Sequence, residues 1–129
     1  MVYQPAKYLN LKSQFKAIEE RLAQDLTSSS TNSTKKLLAL HAQVQDFFQT
    51  QILDNPDPHE AGETQVDEEL ILSHYVEINK QLRLLGADLT MLHAARNPDT
   101  FVQRQQQASD RLNMLISYCS ALLQIDSQS

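Results

Sequence analysis

Four histidines, one cysteine and a scatter of carboxylates are the side chains in this 129-residue chain able to ligate a metal, attack an electrophile or move a proton. His41, His59, His74 and His93 lack the HExxH, ExxH or close Cys and His spacings that put two or three ligands on one ion. His41 and His74 fall at or beside apolar stripes, where a hydrogen-bonded, partly buried imidazole is the expected state. Cys119 falls on the core face of its segment with no His or Lys next to it in sequence, so it reads as a small buried hydrophobe rather than a nucleophile. The acids Glu19, Glu20, Glu77, Asp88 and Asp110 fall on polar faces and read as solvating groups, not as a catalytic pair. Two isolated glycines cannot build a phosphate-binding loop. The expectation is a protein without catalytic residues, metal ligands or cofactor.

Charge narrows the partners. Residues 1–53 carry six Lys and Arg against four acids, residues 70–129 carry five against five, and residues 54–69 carry seven acids and no Lys or Arg. The connector alone carries −7 against +2 and 0 in the two larger blocks, so the whole negative excess sits there. No strongly basic surface is on offer to a phosphate backbone, which argues against nucleic acid as partner. No run approaches the roughly 18 apolar residues of a membrane span, and the first six residues hold no apolar leader core. A cytoplasmic protein without membrane insertion is expected.

The elements that would position these residues are helices. Glycine and proline are rare, and strand-forming residues are scarce and scattered. Tyr8, Leu11, Phe15, Ile18, Leu22 and Leu26 recur at steps of three and four, predicting a helix over about 5–27 that opens at Pro5. The tract TSSSTNST at 27–34 interrupts it, with Asn32 or Ser33 as the next N-cap. Leu37, Leu40, His41, Val44, Phe47, Phe48 and Ile52 predict a second helix over 34–53, stopped by Pro56 and Pro58. The acidic stretch 54–66 reads as a solvated, mobile loop.

Ile71, Tyr75, Ile78, Leu82, Leu85, Leu89 and Leu92 predict a third helix over 67–96, with acids in its first turn and Arg96 in its last. Asn97, Pro98 and Asp99 read as N-cap, first helical residue and first-turn acid of a fourth helix over 98–125. Its stripe is Phe101, Gln105, Ala108, Leu112, Leu115, Cys119 and Leu122, weak at first and strong later, which leaves its amino-terminal half free to splay. The pattern predicts a single all-α domain, an up-down-up-down four-helix bundle; a homodimer through helices 3 and 4 would use the same pattern.

Helices 3 and 4 hold more apolar residues than one seam needs. Lys80, Leu84, Ala87, Met91 and Ala94 make a second line on helix 3, and Met114, Tyr118, Ala121 and Ile125 make one on helix 4. Such lines either widen the core or meet another chain. Lys80, Arg83, Leu84, Ala87, Met91, Met114, Tyr118 and Ile125 are therefore the candidate partner-binding residues. Gly86, mid-helix, implies close approach of another helix, a slight bend or mere tolerance. Tyr75, Phe47 and Phe48 could instead line a small-molecule pocket, but no polar cluster accompanies them to orient a ligand.

The blocks VQDFFQTQIL at 44–53, INKQLRLLGADLTMLHAAR at 78–96 and RLNMLISYCSALLQ at 111–124 resemble the cyanobacterial heterocyst frequency control protein family, PatD. That resemblance implies a small non-enzymatic cytosolic regulator that binds the cell-division GTPase FtsZ, acts at the division site, modulates FtsZ assembly and influences heterocyst frequency. The alternatives from the residues alone are a helical adaptor or assembly factor for another cytosolic complex, and a ligand-sensing bundle.

Overall fold

Rare breakers and four amphipathic stripes leave helix as the conformation that buries the apolar residues and pairs the backbone. The computed structural model describes residues 5–24, 31–54 and 65–127. They form α1 (Pro5–Gln24), α2 (Thr31–Phe47), α3 (Gln65–Ala94) and α4 (Pro98–Ser127), with no strand among the described residues. Leu26 and most of the acidic connector, residues 55–64, lie outside the described residues, so the expected mobile loop does too.

Each helix packs against the two beside it in a square: α1 on α2 and α4, and α3 on α2 and α4. Side-chain bonds fix the directions. Thr34 meets His93 while His41 meets Leu82, so α2 and α3 run antiparallel. Gln105 reaches Leu22, and Arg111 reaches Gln81 and Asp88, which orients α4 against α1 and α3. The predicted up-down-up-down bundle is the observed one. Every described stripe residue of α1 and α3 is buried, as are Leu37 and Val44 of α2, Phe48 and Ile52 just past its end, and Leu112, Leu115, Cys119 and Leu122 of α4. Leu40, Phe47 and Phe101 are partly buried against this core.

α3 begins two residues early at Gln65 and α4 runs on to Ser127, and both ends of α2 and the end of α3 also differ from expectation. α2 begins at Thr31, which places Asn32 and Ser33 inside its first turn rather than at the cap. First-turn amides lack intrahelical acceptors in any case, so hydroxyl residues are tolerated there. Thr34, one step on, is buried and bonded across to His93 instead of competing with its own backbone. At its other end α2 widens into a π-helical turn over Phe48–Leu53, closed by the Asp54 amide donating to the Gln49 carbonyl at 2.9 Å. Phe48 and Ile52, four residues apart, both remain buried through this turn. α3 ends at Ala94, so His93 is the basic residue of its last turn and Arg96 lies just beyond.

The expected start of α4 is present in detail. Asn97 Oδ1 accepts the Asp99 amide at 2.8 Å while the Asn97 carbonyl accepts the Phe101 amide at 2.9 Å. Replacing Asn97 with Ala should lower stability by about 1 kcal/mol, seen as a lower urea midpoint with an unchanged slope. The first half of α4 does not splay. Gln105, 5% exposed on the core face, donates its side-chain N–H to the Leu22 carbonyl at 2.8 Å, near the end of α1.

Candidate functional site

Two of the histidines, His41 and His93, join α2 to α3. His41 is buried between α2 and α3, and its Nε2 donates to the Leu82 carbonyl at 2.7 Å. Its ring lies over Gly86: a Cβ at that position would stand 2.6 Å from His41 Cε1. Of the three readings for this glycine, close approach of a neighbouring helix is the one realised. His93 bonds the Thr34 hydroxyl at 2.6 Å. His74 donates through Nδ1 to its own helix at Leu70 O, 2.8 Å, and sets its ring edge-on to Tyr118. His59 lies outside the described residues. Among the described residues no three His, Cys, Asp or Glu side chains gather as metal ligands. Cys119 is buried, and burial pushes its thiol up to about 12 against a weaker downward pull from Lys12, so it stays a protonated hydrophobe.

One acid was misread. Asp88 is not a solvating group: it is 7% exposed, and Arg111 Nε donates to its Oδ2 at 2.6 Å. Arg111 Nη1 donates to Gln81 Oε1, also at 2.6 Å, so one guanidinium joins two α3 side chains seven residues apart. Glu77 accepts a long 3.5 Å bond from the Tyr118 hydroxyl. The Tyr118 pKa is raised by partial loss of water and by the nearby Glu77 charge, which keeps the phenol neutral.

The aromatic residues considered for a pocket are core. Tyr75 contacts Phe48 edge-on, and its hydroxyl bonds that of Tyr8. Phe47 packs half-buried on the same core. A cleft of about 350 Å³ lies elsewhere, at the α3–α4 turn beside Thr34, His93, Arg96 and Phe101.

Large apolar side chains stand exposed at Leu9 of α1 and Val102 of α4, and in a sustained line on the outer side of the α3–α4 hairpin. Lys80, Arg83, Leu84, Ala87, Met91 and Met114 are exposed, as expected of a binding line. Leu84, Met91 and Met114 expose 39%, 46% and 43% of their surface, too much for added core. Tyr118 and Ile125 are different: both are partly buried and pack on the core, so the second line of α4 is shared between core and surface. Sequence reasoning missed Leu72 and Val76, which expose 54% and 65%. Their signal was available, because steps of four back from Lys80 reach Val76 and then Leu72 on the same line.

No helix among the described residues is long and apolar enough to cross a membrane. Comparison with curated proteins gives no match, and neither does comparison with solved structures. Over residues 55–118, which take in all of α3 and α4 as far as Tyr118, the chain is similar to the family described as the CRR41 C-terminal domain.

Proposed function

We propose that this chain is a non-enzymatic, cytoplasmic protein-binding regulator that engages its partner through the outer side of α3 and the adjoining edge of α4. The observation that carries this reading is the line Leu72, Val76, Leu84 and Met91, apolar and open to solvent on a helix whose opposite side already fills the core. Helices in a bundle this size need one buried face, and a second apolar line is explained by a second surface to cover. The sequence resemblance names the partner as FtsZ and the effect as altered FtsZ assembly.

The test is sedimentation of FtsZ polymers with the wild-type chain and with Leu84→Glu/Met91→Glu. The wild type should change polymer mass or bundling at a stoichiometric ratio. The double variant, both of whose sites are exposed, should keep its helical content and thermal midpoint and lose the effect. Unchanged polymers with the wild type would remove FtsZ from the reading. A second reading, in which the hairpin serves as an adaptor in a different complex, rests on the same exposed line, which falls within the stretch similar to the CRR41 C-terminal domain. Affinity purification from the native cell, comparing the same two proteins, separates the two.

A further inference from the structure

We infer that the outer line of α3 receives an acidic amphipathic helix of the partner, laid along α3 from Leu72 to Met91 with its carboxylates on Lys80 and Arg83. This rests on the protein-binding reading and specifies the chemistry of the occupant. Four large apolar side chains, Leu72, Val76, Leu84 and Met91, stand open along the line with Ala87 between the last two. At 1.5 Å per residue they cover roughly 28 Å, the length of a helix of about five turns. An α-helical occupant matches such a ridge because its own side chains repeat at the same steps of three and four.

The charge of the occupant follows from what surrounds Lys80 and Arg83. Both are exposed and, among the described residues, neither forms an ion pair, although α3 carries acids of its own. Asp88 is held by Arg111, and Glu77 faces Tyr118 on the α4 side. Among the described residues the two cations therefore interrupt the apolar line without an ion pair, and a helix presenting Glu or Asp there would complete both the packing and the charge.

The same placement disfavours a second copy. The midpoint between Leu72 and Met91 falls midway between Lys80 and Arg83, so a two-fold antiparallel pairing that overlaps the apolar residues sets each copy's Lys80 against the other's Arg83. A parallel pairing sets like on like. A lipid surface is disfavoured as well. The line has no Trp, Tyr or Phe to seat at a headgroup interface, and its two cations fall short of the Lys- and Arg-rich face that interfacial helices carry.

The full-length chain can be tested by fluorescence anisotropy with a labelled amphipathic peptide of about 20 residues, Leu at steps of three and four and Glu flanking its centre, and with its twin bearing Lys for Glu. The wild type should prefer the Glu peptide. Lys80→Glu/Arg83→Glu should weaken that binding by about tenfold or more and shift preference to the Lys peptide. Lys35→Glu/Lys36→Glu, which changes net charge equally on α2, should leave binding unaltered.

Equal binding of both peptides, or equal weakening by the α2 variant, would overturn the inference. So would a dimer in sedimentation equilibrium that Leu84→Glu disperses, or flotation with anionic vesicles that Lys80→Glu/Arg83→Glu abolishes. If FtsZ responds to the Leu84 and Met91 variant while the peptides do not discriminate, the helix-docking inference fails and the regulator reading stands. Discrimination between the peptides with FtsZ unaffected has the opposite meaning.

Discussion

Replacing Arg111 with Met should destabilise the protein by roughly 2–4 kcal/mol, a large share of the 5–15 kcal/mol that holds a domain of this size folded. Met keeps most of the apolar stem but removes both donors. The Asp88 carboxylate and the Gln81 amide oxygen, on side chains 7% and 8% exposed, then lose the bonds that Arg111 makes to each at 2.6 Å. An unanswered buried charge is the expensive part. Arg111 itself is 24% exposed, so water reaches one side of the pair and the loss stays at the low end for a broken buried ion pair. Urea denaturation should show the fall as a lower midpoint. The companion variant Asp88→Leu/Arg111→Met should lose less than Arg111→Met alone, because it leaves no charge behind. If the single variant proves neutral, the pair is a surface contact and α3 and α4 are held by their apolar seam alone.

The Arg111 cluster also marks where sequence reading stops. The periodicities of Tyr8 to Leu22 and Ile71 to Leu92 locate burial correctly because burial on a helix is a local property, set by which residues share a side. Asn97 and Pro98 locate the start of α4 for the same reason. Asp88, read as solvating, takes its state from a residue 23 positions away, and no local pattern encodes that pairing. The π turn at Phe48–Leu53 is hidden differently: Val44, Phe48 and Ile52 at steps of four fit an α stripe, and the carbonyl chosen by the Asp54 amide is decided by packing. At the candidate site, Leu84, Met91 and Met114 were legible as apolar residues beyond one seam's need. That Tyr118 and Ile125 lean inward depends on how closely α4 lies against its neighbours, which a helical wheel does not contain.

Gly86→Ala should be destabilising by about 1–2 kcal/mol in the wild-type chain and stabilising by about 1 kcal/mol once His41 is Ala. A helix interior ordinarily gains about 1 kcal/mol when Gly becomes Ala. Here the new methyl would lie 2.6 Å from His41 Cε1 and 3.0 Å from Nε2, so the imidazole must withdraw. Withdrawal breaks the 2.7 Å bond to the Leu82 carbonyl and forces the ring, buried at the α2–α3 crossing, either toward solvent or against its neighbours. Overpacking of roughly 1–3 kcal/mol together with a lost buried hydrogen bond of about 1 kcal/mol outweighs the helix gain. In the His41→Ala background the three atoms nearest the methyl, all of the imidazole, are gone, and the helix gain should dominate. Thermal or urea unfolding of the four proteins, wild type, both single variants and the double, therefore reads a change of sign rather than a difference of size. Helix propensity alone predicts stabilisation in both backgrounds, and that result would mean that the imidazole swings aside freely and does not set the spacing of α2 and α3.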